Sequence, residues 1–171
     1  MDKTSKKIMK REKPNDVFLT PISLVETHIN FVKALISDGD TILDPFYGTG
    51  NYYNTLIKVF DKCIIDWTEI EKERDFFEYE KKVDVIISNP PYSILDKVFE
   101  KSVELKPRVI SYLIGIHNLT TRRIEIMNKS GYYLHSCKML KVYKWFGMSC
   151  ITTFVKGNDK NCIDFDRIVY R

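Results

Sequence analysis

A chain of 171 residues with 44% hydrophobic and 29% charged side chains is long enough for one domain with a sizeable core, a balance that excludes a disordered or membrane-spanning protein. No apolar run approaches the roughly 18 residues of a membrane helix, and the lysine-rich start MDKTSKKIMKREKP lacks the apolar stretch of a signal peptide, so an intracellular location is expected. The net charge of +4 is concentrated, because residues 1–14 hold six Lys/Arg and two Asp/Glu and leave 21 of each sign elsewhere; a basic tail over 1–16, holding phosphates or serving solubility, precedes a single domain over 17–171.

Thr20-Pro21 reads as a helix start, with a hydroxyl at the cap and proline in the first turn. Ile22, Val25, Ile29, Val32 and Ile36 follow at three- and four-residue spacing, giving that helix one apolar face until Asp38-Gly39-Asp40 ends it. Short apolar strands then alternate with amphipathic helices, the mark of an α/β protein whose mainly parallel sheet is covered on both faces. The pattern predicts a strand over 41–44, a helix over 51–60, a strand over 63–67, a buried strand over 83–88, a helix over 93–105, a strand over 109–116 and a helix over 120–129. Nine acids fall between residues 61 and 84, and the link from Trp67 to Val83 is short, so the usual crossover helix is expected to be curtailed or missing. Segments 132–142, 149–155 and 163–170 are strand-like and joined by short polar turns, which predicts an antiparallel finish to the sheet. Cys63, Cys137, Cys150 and Cys162 form no CxxC pair and no zinc spacing, and read as buried or idle thiols with no metal.

Asp44-Pro45-Phe46-Tyr47-Gly48-Thr49-Gly50 falls where the first strand ends and a helix begins, the place where open α/β sheets bind ligands. Glycines there let the backbone approach a ligand in conformations that a β-carbon forbids. Gly50 is followed by Asn51-Tyr52-Tyr53, which offers no lysine for phosphates and argues against an ATP site. Asp44 repels a pyrophosphate yet can pair with an α-ammonium group, so the turn points to a cofactor that carries an amino acid. About 20 residues on, where such sheets place an acid for ribose hydroxyls, stand Asp66 and Glu69. Glu69 lies closer to the expected distance; both stay open beside the reading of a solvated acidic loop.

The second motif is Asn89-Pro90-Pro91-Tyr92, directly after the buried strand that ends at Ser88. Two prolines cannot extend a ladder, so the strand stops there, and they hold Asn89 extended and stiffen the turn. The turn presents one amide, one carbonyl and one ring. The Asn89 side-chain oxygen and the Pro90 carbonyl can each accept one hydrogen of an exocyclic amine while Tyr92 stacks on the ring that bears it. Such bonds draw the nitrogen lone pair out of conjugation, and the amine can attack a sulfonium methyl in line, with catalysis by positioning and electrostatics.

The two motifs, in this order and about 40 residues apart, resemble the class I S-adenosylmethionine-dependent adenine-N6 DNA methyltransferases of the restriction-modification and phage type. The resemblance spans most of residues 17–156. It implies a Rossmann-like methyltransferase fold with an antiparallel C-terminal hairpin, S-adenosylmethionine as cofactor and DNA as partner. It further implies that Phe18-Leu19-Thr20-Pro21 touches the cofactor, and that the acid of Asp75-Phe76-Phe77 hydrogen-bonds the cofactor's adenine amine. The late segment Lys144-Trp145-Phe146-Gly147 is the counterpart of an aromatic that packs on a flipped base. Residues 117–146 hold six Lys/Arg against one Asp/Glu, so this side is expected to face phosphates. Arg122 and Arg123 stand at a helix start, where the dipole disfavours cations, and are read as contacts to a polyanion.

Only about 50 residues separate Tyr92 from Trp145, and the fold needs most of them. A separate target-recognition region is therefore not expected, and either a partner subunit supplies sequence recognition or many contexts are tolerated. Asn-Pro-Pro-aromatic also occurs in enzymes that methylate adenine in structured RNA or a glutamine amide in protein. RNA is the leading alternative substrate; a non-catalytic nucleic-acid-binding subunit of a methyltransferase complex is the alternative of a different class.

Overall fold

The computed structural model describes residues 19–142, 147–157 and 160–162. Helix α1 (Ile22–Val32) buries Val25, His28, Ile29 and Val32, and its end tightens into a 3-10 turn at Lys33–Leu35. Its cap differs from the expected one. Pro21 occupies the cap position and no side chain caps the helix, because the Thr20 hydroxyl is turned to the Asn89 amide instead. Ile22, expected on the apolar face, is 57% exposed at the first turn.

Strand β1 (Thr41–Asp44), helix α2 (Asn51–Val59) and strand β2 (Ile64–Trp67) follow the predicted alternation. No crossover helix joins β2 to the next strand. Two 3-10 turns, Ile70–Lys72 and Phe76–Glu78, do so, and Phe76 and Tyr79 anchor the link in the core. Asp66 gathers this acidic stretch by accepting bonds from Arg74, the Tyr79 hydroxyl and Lys81. Then come β3 (Val85–Ser88), a 3-10 turn at Tyr92–Ile94, α3 (Leu95–Glu104), β4 (Val109–Gly115), α4 (Thr121–Lys129), β5 (Tyr132–Leu140) and β6 (Ser149–Lys156).

Among the described residues the sheet has six strands in the order β2-β1-β3-β4-β6-β5. The first four are parallel, and β6 runs antiparallel to both β4 and β5. The predicted antiparallel finish is thus the β5–β6 hairpin; the third late segment, 163–170, lies outside the described residues, as does the basic tail.

Strands buried on both faces alternate their side chains between two apolar layers. Leu43, Ile86, Ile110 and Phe154 face α3 and α4. Ile42, Val85, Ile87 and Val109 face α1 and α2. Each fully buried aliphatic or aromatic side chain of this kind contributes about 1.5–3 kcal/mol, which is what holds the carboxyl ends of β1 and β3 side by side. Strand order reverses between these two neighbours, and that is where open α/β sheets form a crevice.

Arg123, expected to contact a polyanion, is also engaged within the fold. Its Nε donates to Asp96 at 2.7 Å and its Nη1 to the Asn118 carbonyl at 2.7 Å. The guanidinium therefore ties α4 to α3 and to the β4–α4 turn, and its apparent misfit at the helix start is resolved inside the protein. Arg122 reaches the other Asp96 oxygen at 3.5 Å and stays largely exposed.

Candidate functional site

The turn after β1 needs two left-handed residues, and glycines supply both, with φ of 50° at Gly48 and 81° at Gly50. They do different jobs. A Cβ on Gly50 meets the Tyr47 ring at 2.6 Å, whereas at Gly48 the nearest atom is the Phe46 carbonyl at 4.0 Å. Gly50→Ala is accordingly expected to cost about 2–3 kcal/mol in urea denaturation, combining backbone strain with displacement of the ring, and Gly48→Ala about 1 kcal/mol from strain alone. Equal losses from the two substitutions are the contrary result.

The turn is stitched to the chain after β2. Tyr47 donates to the Thr68 carbonyl at 3.1 Å and Thr68 to the Asp44 carbonyl at 3.0 Å. The Thr68 hydroxyl donates to the Pro45 carbonyl at 2.7 Å, and Gly48 N–H donates to Glu69 Oε2 at 2.8 Å. Of the two acids left open by the sequence, Glu69 lies against the glycine turn and lines the adjoining cleft. Asp66 is directed away, into its cluster with Arg74, Tyr79 and Lys81.

Asp44 sits beneath this turn, fully buried. Ser88 Oγ donates to its Oδ1 at 2.7 Å, and Oδ2 makes no hydrogen bond among the described residues. Burial pushes the Asp44 carboxyl up to about 7, against the lowering pull of the Ser88 hydroxyl and of the Phe46 and Tyr53 backbone N–H groups, with the Glu69 charge adding to the rise. A buried carboxyl with an oxygen lacking any donor is poised to accept one from a cationic group.

At the end of β3, Asn89 and Pro91 line the same cleft, while Pro90 is buried. Tyr92 packs partly against the core at the start of the following 3-10 turn rather than on the cleft wall. Asn89 Nδ2 donates to Thr20 Oγ1 at 3.2 Å, and Asn89 Oδ1 is closed to solvent. Asn51 Nδ2 donates to the Thr20 carbonyl at 2.8 Å, so Thr20 joins the first turn of α2 to the corner after β3.

The cleft has a volume of about 270 Å³. Its walls include Thr20, Pro45, Phe46, Tyr47, Gly48, Glu69, Asp75 and Phe76 from the sequence-derived set. Phe46 and Phe76 meet edge to face at 5.4 Å, and Asp75 uses one carboxylate oxygen to cap its 3-10 turn through Phe77 N–H. Three carboxylates, Glu69, Glu71 and Asp75, and no lysine or arginine line it among the described residues. Pro21, Asp44, Gly50, Pro90 and Tyr92 stand behind or beside the walls; Phe18, Lys144, Trp145 and Phe146 lie outside the described residues.

Leu19, Thr49 and Phe77 line the cleft from within the motif segments, whereas sequence reasoning missed Asn51, Tyr52, Ile70, Glu71 and Ile94 as lining residues. Asn51 and Tyr52 follow the second glycine directly, and that adjacency was an available signal. Ile70 and Glu71 belong to a 3-10 turn of three residues, too short to carry a periodicity.

Among the described residues there is no group of three His, Cys, Asp or Glu arranged to hold a metal, and no helix is long and apolar enough to cross a membrane. No family model matches the chain, and no curated protein sequence matches it. Solved structures do. The magnesium protoporphyrin IX methyltransferase ChlM from Synechocystis PCC 6803, crystallised with bound SAM, superposes with a TM-score of 0.64 at 13% identity, over 79% of this chain and 79% of that one. The E. cuniculi Mtq2–Trm112 complex, responsible for methylation of the eRF1 translation termination factor, matches with a TM-score of 0.57 at 16% identity, over 84% of this chain and 99% of that one. A methyltransferase from Pyrococcus furiosus matches with a TM-score of 0.54 at 20% identity, over 91% and 95%. This chain therefore has the Rossmann-like fold of these methyltransferases, a mainly parallel sheet finished by an antiparallel C-terminal hairpin.

Proposed function

We propose that this protein transfers a methyl group from S-adenosylmethionine to the N6 amine of adenine in DNA. One observation carries the reading: the glycine turn after β1 and the Asn89-Pro90-Pro91 corner after β3 border a single cleft with an acidic lining and no basic side chain among the described residues. That lining repels phosphates and so disfavours ATP or a dinucleotide, whereas it suits a ligand carrying a sulfonium and an ammonium. The fold supports the same class, since two of the neighbours above are methyltransferases by name and one holds SAM.

In this reading Asp44, with Oδ2 buried and lacking a donor, takes the ammonium. Glu69 holds the ribose hydroxyls, Asp75 the cofactor's adenine amine, and Phe46, Tyr47 and Phe76 the adenine plane, with Thr20, Pro21, Pro45, Gly48 and Gly50 shaping the site. The bound cofactor supplies an electrophilic methyl. Asn89 Oδ1 and the Pro90 carbonyl orient the target amine by accepting its two hydrogens, and Tyr92 stacks on the base. Because Oδ1 is closed to solvent, binding of the amine requires Asn89 to turn and give up its 3.2 Å contact with Thr20. Arg122, Lys144, Trp145 and Phe146 are assigned to the nucleic acid, and sequence recognition is assigned to a partner subunit or relaxed to many contexts; one neighbour of this fold is itself a two-protein complex.

Mass spectrometry of nucleosides from DNA and RNA incubated with the protein and S-adenosylmethionine tests this. N6-methyldeoxyadenosine from DNA is the expected product. Methylation confined to RNA moves the substrate to RNA, and no product on either, with cofactor bound, favours the non-catalytic subunit.

A further inference from the structure

We propose that the buried pair His28–Tyr52 is a positioning device for the amino-acid end of the cofactor, in which His28, away from any ligand, holds the Tyr52 phenol at the cleft wall, in the first turn of the helix that follows Asp44 and the glycine turn. The proposal rests on the S-adenosylmethionine reading above. His28 lies in the middle of α1 with no exposed surface, inside the mainly apolar layer between α1, α2 and the sheet. Burial drives its imidazole down to about 3, so it is neutral, with one N–H and one lone pair to satisfy.

Both nitrogens are engaged. Nδ1 lies 2.8 Å from the Tyr52 hydroxyl and Nε2 lies 2.8 Å from Ser111 Oγ. Ser111 Oγ in turn lies 2.9 Å from Thr153 Oγ1. A polar chain therefore runs from the cleft-lining Tyr52, through α1, to β4 and β6. The rings of His28 and Tyr52 meet edge-on at 5.5 Å and 88°, so packing and the hydrogen bond hold the phenol together.

His28 bridges two hydroxyls that an apolar side chain could not satisfy, the Tyr52 phenol on the cleft side and Ser111 on the sheet, so it acts through the groups it holds and not through packing alone. What it orients is a residue of the site. Tyr52 lines the cleft in the first turn after the glycine turn, and burial, then the charge of Asp44, raise its phenol well above the ordinary value. The phenol therefore stays protonated, feels the charge of the carboxylate assigned to the ammonium, and is held by an imidazole that is neutral at neutral pH.

Calorimetric titration of the full chain with S-adenosylmethionine and with 5′-methylthioadenosine, which lacks the amino-acid end, tests the assignment. Tyr52→Phe and His28→Phe are each expected to weaken S-adenosylmethionine about tenfold while leaving methylthioadenosine within about twofold, and the double variant is expected to be no weaker than either single one. An equal loss for both ligands, or no loss for S-adenosylmethionine, overturns the proposal. Tyr52→Phe decides the matter even where His28→Phe does not fold, because it removes one oxygen from an intact ring. Failure of the unaltered protein to bind either ligand overturns the cofactor reading itself, and this inference with it.

Discussion

Asn89→Ala is expected to lower the rate of methyl transfer by at least about a thousandfold while leaving the Kd for S-adenosylmethionine within about threefold. The asymmetry follows from where the side chain acts. Its amide is assigned to the reacting amine, and removing one group that stabilises developing charge costs enzymes about a hundred- to a thousandfold; losing the orientation of the amine as well adds to that. The cofactor is assigned to other side chains, Asp44, Glu69, Asp75 and the Phe46–Phe76 pair, and the bond of Asn89 to Thr20 at their border is a long one of 3.2 Å. Single-turnover transfer and calorimetry separate the two quantities. Retained turnover removes the proposed chemistry, and a large loss of cofactor affinity moves Asn89 from the target amine to the cofactor.

Asp44→Asn is expected to make the protein more stable and less able to bind its cofactor. The carboxyl titrates near 7 in the fold, against an ordinary value of 3.8, because it is fully buried. Between these values the folded state holds a proton that the unfolded state has released. Stability therefore falls as pH rises from about 4 to about 7, and the penalty stays in full above that. At about 1.4 kcal/mol per pH unit it is of the order of 4 kcal/mol at pH 8. The neutral asparagine keeps an oxygen for the Ser88 hydroxyl and removes the penalty, so a gain of about 1–3 kcal/mol at pH 8, shrinking to nothing near pH 4, is the expected outcome of urea denaturation across this range.

Binding runs the other way. An ammonium requires the ionised carboxylate, so affinity in the unaltered protein is expected to rise with pH up to about 7, with a proton released on binding at pH 6. In the variant, affinity falls at least about tenfold and that proton is absent. Calorimetry in buffers of different ionisation enthalpy measures the proton directly. A variant that binds as tightly as the unaltered chain removes Asp44 from the ammonium site.

Much of this was legible in the linear order of residues, for local reasons. Alternation of Ile42-Leu43 and of Val85-Ile86-Ile87 marks strands buried on both faces, and the spacing of Val25, Ile29 and Val32 marks a helix. Gly48 and Gly50 signal a turn that needs left-handed backbone, and Pro90-Pro91 signals the end of a ladder, because those constraints act within one or two residues. The fold class and both borders of the cleft follow from such short-range facts.

Tertiary structure alone decided the rest, because it depends on groups brought together from far apart in the chain. Glu69 rather than Asp66 meets the glycine turn because Arg74, Tyr79 and Lys81 draw Asp66 the other way. Thr20 spends its hydroxyl on Asn89, 69 positions away, instead of on its own helix, and Arg123 finds Asp96, 27 positions back. His28 is an unremarkable residue on a helical face until folding carries Ser111, 83 positions along, to within 2.8 Å. Short-range sterics write strands, helices and turns into the sequence directly; a hydrogen bond between distant residues exists only once the two apolar layers have packed and water has left the space between them.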